Sequence, residues 1–458
     1  MVEPLFVFTV APTGLGHIRV MHALQDGLPL NTTFEVIGIQ EAGVNNALHS
    51  LGSRVPLLTD ITEFYQTNHF AEWVVSALYT AYLKSHAKEA MVAFADIVKR
   101  NPDRKRWIVI STHFALAFSI AASKKEIAEK FGVEVLLCVI VTDDSPQRVW
   151  VVKDADLIFA PSTLTGETLV KLGMSPEKVK VVSYPISPKF AQKLSKDEYQ
   201  HVVDQLNADQ TTPLQIVIPI SGAAVQLPYL EDIIRTLSYE NFFFTVIGQD
   251  STFTFSFFQD LAKLTHVQTS IGLSNHQTVE YYESLFYQPS RPAVEITKPS
   301  EQSFKAILQP NERGGVILLF TQPVERQEKD NLRFLQRYGL MPDDNQQHNL
   351  EDFLLGVRIF TTQEVTQIHA LASHWRAIRL PSAPQKAAQF IKKLKEKGIF
   401  SSMLKYVPSP KPELMSNGVE MIWNEILTRF NGTPISETVK STKSSFVARE
   451  TQPGLVGR

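Results

Sequence analysis

Pro12-Thr13-Gly14-Leu15-Gly16-His17 is the stretch of this chain whose residue types and spacing suit chemistry. It follows the apolar run Leu5 to Ala11 (LFVFTVA) and precedes Ile18 to Leu24, where Ile18, Met21 and Leu24 fall near helical spacing. A strand, a glycine loop and a helix start gather free backbone N–H groups and a positive dipole end at one point, which favours a phosphate or another anion. The spacing is not GxGxxG, and the Lys-Ser/Thr of a P-loop is missing. On the glycines alone a plain βα turn explains as much, with Gly14 and Gly16 supplying backbone freedom. His17 shifts that balance, because a titratable group at the end of a parallel strand is placed for proton transfer. Asp143, in Thr142-Asp143-Asp144 after another apolar run, is a candidate for orienting an acceptor hydroxyl or His17. Asp144, followed by Ser145-Pro146, reads as a turn or cap residue. His113 either lines the same cleft or caps a helix beside Ser111 and Thr112. His22 lies on another helix face from His17, so the two form no metal pair, and no metal site is expected.

The elements that must carry these residues alternate. Thr33–Ile39, Trp107–Ser111, Val133–Thr142, Leu157–Ala160 and Val179–Ser183 read as strands, with helices over 115–130 and 165–172 and a long helical stretch over 70–100. Tyr184-Pro185-Ile186-Ser187-Pro188 ends this half, and a polar stretch links it to a second alternating half. There Leu214–Ile220, Phe242–Gly248, Ala293–Ile296 and Gly315–Phe320 read as strands, and Pro228–Leu237 as a helix. Two junctions in this half run strand, loop, helix: Lys298-Pro299-Ser300-Glu301-Gln302-Ser303, and the segment from Gln322 to Asn331. The bland reading of the second is a solvated, charged helix start. The expected fold is α/β, two Rossmann-like domains in tandem with a cleft between them. The expected divisions are one Rossmann-like domain over 1–190, a linker over 191–212 and a second Rossmann-like domain over 213–383, then helices over 384–431 packing back toward the first half and a disordered tail over 432–458.

Bulk composition narrows the function. The 458 residues are 44% hydrophobic and 20% charged, an ordinary globular balance with room for two or three domains. A net charge of −2 argues against nucleic acid as a partner. The lone Cys138 excludes an intrachain disulfide and reads as inert core. The first apolar run lacks a basic leader, so a cytoplasmic location is expected. Lys99-Arg100 and Arg104-Lys105-Arg106 read as a solvated loop and the apolar stripe over 70–82 as core, or together they would give a weak, peripheral hold on the anionic inner face of a membrane.

Taken in order, strand–PTGLGH–helix, VTDD, YPISPKF, a second Rossmann-like half, KPSEQS and PVERQEKDN resemble the GT-B glycosyltransferases. The closest resemblance is to monogalactosyl- and diglucosyl-diacylglycerol synthases and the N-acetylglucosaminyltransferase of peptidoglycan lipid II assembly, over roughly residues 5 to 430. It implies an inverting, metal-independent transfer from a UDP-sugar or other nucleotide sugar to a lipid or small-molecule hydroxyl, with no cofactor. Thr13, Gly14, Gly16, His17 and His113 would lie at the acceptor side, with His17 as base. Ser221-Gly222-Ala223 would take the place of the family's glycine-rich donor loop. Lys298, Ser300, Glu301 and Ser303 match or replace positions of the family's KPGGxTxxE motif, and Gln327 and Asn331 match the residues that meet the donor sugar. The glutamate that grips the donor ribose is here Ala306, and Ser300-Glu301 stand for a glycine pair. Hydrogen bonds to a charged group contribute roughly 1.5–3 kcal/mol each, so losing that grip weakens nucleotide binding by ~100-fold or more. A non-catalytic relative that binds a ligand or a partner protein is therefore the alternative reading.

Overall fold

The computed structural model describes residues 4–10, 15–30, 32–38, 87–208, 211–220, 226–252, 254–320 and 326–431. Thr13, Gly14, the Ser221-Gly222-Ala223 loop, the stripe over 70–82 and the tail over 432–458 lie outside the described residues. In the first half the apolar runs become β1 (Leu5–Val10), β2 (Phe34–Gly38), β3 (Arg106–Ser111), β4 (Glu134–Ile140), β5 (Leu157–Ala160) and β6 (Val179–Val181). They pair in parallel in the order β2-β1-β3-β4-β5-β6. Runs without polar alternation suit such a sheet because both faces are covered. Phe6, Phe8, Ile108 and Ile110 face one apolar cluster, and Leu5, Val7, Trp107 and Val109 face another.

The second half repeats the plan with β7 (Leu214–Pro219), β8 (Phe242–Gln249), β9 (Val267–Gly272), β10 (Val294–Thr297), β11 (Val316–Leu319) and β12 (Ala377–Arg379). Their order is β12-β11-β10-β7-β8-β9, again parallel. Two Rossmann-like sheets in tandem are the GT-B arrangement. The halves share one apolar cluster, in which Phe8 and Tyr184 of the first join Phe304, Ile317 and Phe334 of the second. Tyr184 stacks flat on Phe304 with ring centroids 4.0 Å apart.

Two boundaries differ from the sequence reading. The segment read as a linker contains the helix Lys196–Leu206, started by a capping box of Ser195 and Glu198, and its Val202 and Leu206 enter the second core. Within 384–431, the helix Pro384–Glu396 and the short helix Ile399–Met403 also pack into that second core. Gly418–Asn431 lies on the first sheet, where Trp423 meets Phe6 edge-on at 5.4 Å and donates to the Leu24 carbonyl at 3.0 Å. Glycine is needed at its start, since a Cβ on Gly418 would collide with the Ser183 and Tyr184 carbonyl oxygens.

Candidate active site

In an open parallel sheet, ligands bind beyond the carboxyl ends of the strands, where consecutive connections leave in opposite directions. In the first sheet that point lies between β1 and β3. His17 follows β1, as the third residue of the helix Leu15–Asp26, and Thr112 and His113 follow β3. The second sheet has its switch between β7 and β10, and β10 leads into Lys298–Ser303.

The partly buried His17 ring is oriented by backbone. Its Nδ1 lies 2.6 Å from the Thr112 carbonyl oxygen and 3.3 Å from the Thr142 hydroxyl. A carbonyl only accepts, so Nδ1 carries the proton and Nε2 keeps its lone pair, the tautomer a general base requires. Burial lowers the His17 pKa from its usual value, while the Thr112 bond and the Glu301 charge pull it up. His113 sits edge-on to His17 at 4.7 Å. Its Nδ1 accepts from the Ala115 N–H at 3.2 Å, so it caps the helix Phe114–Phe131 and borders the His17 ring at once.

The loop after β4 makes the other side of the site. Asp143 Oδ1 accepts from Asn331 Nδ2 at 3.0 Å. Asn331 also donates to the Pro299 carbonyl at 3.1 Å and accepts from the Asp144 N–H at 3.0 Å. The fully buried Asn331 therefore ties the two halves together. Gln147 Nε2 reaches Gln327 Oε1 at 3.4 Å, and Ser145 donates to Asp330 at 2.8 Å. Asp144 extends its sequence reading. It is buried, and its carboxylate accepts from Ser162, from Thr165 at 2.7 Å and from Arg337 of the second half at 2.6 Å. It sits in the bend after β4 and is an interdomain anchor as well.

On the donor side, Lys298 pairs with Glu328 at 2.7 Å, and Ser303 donates to the Ser300 carbonyl at 2.7 Å. The residues from Glu301 to Ile307 form a tight 3-10 turn, which packs Ala306 fully into the core. Glu301 is directed at the first half instead, paired with Arg19. Gly16 sits inside a helix, so its lack of a side chain serves close approach: a Cβ there would lie 2.9 Å from Glu301 Oε2. Burial opposes ionisation of Glu301, yet Arg19, Lys298 and Ser300 hold its pKa below the usual carboxylate value.

Sequence reasoning missed several residues around this site. Lys305 and Glu295 form a buried ion pair, joined by a 2.6 Å bond from the Tyr282 hydroxyl to Glu295. The Lys305 ammonium lies 4.6 Å from the Tyr282 ring centroid and 4.9 Å from that of Phe286. Burial pushes the Glu295 carboxyl well up and the Lys305 ammonium well down. Farther along the helix Leu15–Asp26, His22 Nε2 meets His276 Nδ1 of the second half at 2.9 Å. Burial first, then His276, Lys189 and Arg19, bring His22 down to about 4. Between pH 6.5 and 4 the unfolded chain binds a proton that the folded one refuses. Stability is thus unaffected above pH 6.5 and falls as the pH drops toward 4, by on the order of 3 kcal/mol. Urea midpoints for wild type and His22→Gln should converge at acid pH. A parallel acid loss in both would exclude His22 as its source.

The basic run is largely matched by acids: Lys99 with Asp96 at 3.0 Å, Arg100 with Glu35 at 2.8 Å and Arg106 with Glu134 at 2.8 Å. Among the described residues no helix is long and apolar enough to cross a membrane.

No family model matches the chain. In sequence it is similar to the processive diacylglycerol beta-glucosyltransferase of Bacillus cereus (strain B4264), 24% identical over 348 residues that cover 74% of this chain and 81% of the relative. A solved complex of S. aureus MnaA with UDP covers 94% of this chain and 97% of its own, at 12% identity and a TM-score of 0.47. The crystal structure of Acinetobacter baumannii MurG covers 93% and 100%, at 11% identity and a TM-score of 0.42.

Proposed function

We propose that this glycosyltransferase-like chain moves a sugar from a UDP-sugar or another nucleotide sugar to a hydroxyl acceptor, with inversion at the anomeric carbon. The observation that carries the reading is His17, held by the Thr112 carbonyl at 2.6 Å so that Nε2 keeps a lone pair at the switch point of the first sheet. The acceptor oxygen attacks the anomeric carbon, its proton passes to His17 Nε2, and the bond to the diphosphate breaks with its electron pair leaving on the nucleotide. Asp143 borders the acceptor side of that step. Lys298, Ser300 and Ser303, with the Ser221-Gly222-Ala223 loop, would meet the departing diphosphate. Gln327 and Asn331 would read the sugar, exchanging their bonds to Gln147, Asp143 and Asp144 for bonds to the donor. The Bacillus relative is named for diacylglycerol, so a lipid hydroxyl is the first acceptor to try. A peripheral seat on an anionic membrane face fits such an acceptor, though three of the five basic residues in 99–106 already have acidic partners.

Calorimetry with a panel of nucleoside diphosphates and their sugars tests the donor, and transfer of the bound sugar to diacylglycerol in mixed micelles tests the acceptor. Binding of one sugar nucleotide, followed by transfer, is the expected result. Silence across the panel from a folded sample would leave the non-catalytic reading in its place.

A further inference from the structure

Arg19 projects from the helix that carries His17, yet its partners belong to the other half. Its guanidinium pairs with Glu301, and it lies 5.3 Å from the Tyr282 ring centroid. With the Gln302 amide turned oxygen-inward, that oxygen accepts from the Arg19 nitrogens at 3.1 Å. Both members of the ion pair are well shielded, each side chain 14% exposed. An arginine of the acceptor half thus closes onto the junction at the carboxyl end of β10, where a donor diphosphate would sit. A carboxylate and a phosphate offer the guanidinium fork the same pair of anionic oxygens. Glu301 and a diphosphate cannot share that fork, because two anions a few ångströms apart in a shielded site repel strongly.

We propose that Arg19 is a diphosphate-binding residue that works by exchange: Glu301 holds it while the cleft is empty, and the diphosphate of a nucleotide displaces Glu301 to take it. The inference rests on the proposed donor chemistry and adds a residue and a competition to it. Glu301 is an internal competitor, present at an effective concentration that no dilution removes. Gly16 lets it come close enough to compete. Donor binding therefore carries the cost of breaking one interdomain ion pair, which the new contact between Arg19 and the diphosphate replaces.

The test is titration of inorganic diphosphate into wild type, Glu301→Gln, Arg19→Met and the double variant, with folding of each checked by circular dichroism. Glu301→Gln should bind diphosphate ~10-fold or more tightly than wild type, the worth of one freed charge-assisted contact. The double variant should lose that gain. Arg19→Lys with Glu301→Gln, which keeps the charge without the fork, should fall between and serves if the methionine variants do not fold. Equal affinity in wild type and Glu301→Gln, a gain that survives loss of Arg19, or no diphosphate binding in any variant would each overturn the exchange. A sugar nucleotide that binds all variants alike would sink the exchange and leave the transferase reading standing. The expected diphosphate pattern with no response to any sugar nucleotide would do the reverse.

Discussion

Replacing His17 by alanine is expected to lower the sugar-transfer rate by about 10²–10⁴-fold, the usual contribution of a positioned general base, while nucleotide binding persists. The expectation follows from the tautomer. Thr112 fixes the proton on Nδ1, so Nε2 is the nitrogen that can take another. Burial lowers the His17 pKa, so the base stays neutral and competent below its ordinary value of 6.5. The rate should therefore hold from neutral pH down past 6.5 and fall only on the acid side of the depressed pKa. Steady-state transfer from pH 4 to 8, with nucleotide affinity measured in parallel, checks both parts. Turnover of His17→Ala within a few-fold of wild type would remove His17 from the base role.

Replacing Lys305 by methionine is expected to cost about 1–3 kcal/mol of stability, because it takes a hydrogen-bond partner from the buried Glu295 carboxyl, which burial already pushes well up. Glu295 is 1% exposed, and one of its carboxylate oxygens already has no hydrogen-bond partner among the described residues. Only the Tyr282 hydroxyl would remain for it. Replacing both residues, Lys305→Met with Glu295→Leu, should recover most of that loss or exceed wild type, since apolar neighbours of similar volume need no desolvation. Urea unfolding of the two single variants and the double variant separates these terms. A double variant as unstable as Lys305→Met alone would mean that the pair holds a geometry packing cannot replace.

What could be read from the chain depended on whether the signal was local. β1, β3, β4 and β7 are mostly buried and show as apolar runs with few polar interruptions. β9 (VQTSIG) is a half-exposed edge strand and β12 has three residues, so neither stands out from its surroundings. The helix Lys196–Leu206 buries one narrow stripe and passes for a polar linker, although Ser195 and Glu198 at capping-box spacing marked its start. In Phe253–Phe258, Phe257 and Phe258 join the core as their type suggests, while Phe255 is exposed. The site divides the same way. His17 is legible because a strand, glycines and a histidine are adjacent in sequence. The role of Asp144 is not, since its partners lie 18, 21 and 193 residues away. Arg19 meets Glu301 across 282 residues, and only the fold brings them together.

The return of Gly418–Asn431 to the first sheet bears on how the protein is made. Trp423 covers Phe6 and bonds to Leu24, a residue 399 positions earlier in the chain. A ribosome adding about 5–20 residues per second needs on the order of 20–80 s to span that interval. Until then the face of the first sheet bearing Phe6 and Phe8 is covered only in part, by Leu15, Ile18, Met21 and Leu24 of the neighbouring helix, and a chaperone or a neighbouring nascent chain can reach the rest. The second core, by contrast, draws on one continuous stretch from Lys196 to Met403 and can close while the last helix is still being built. The half of the molecule translated first is the half completed last.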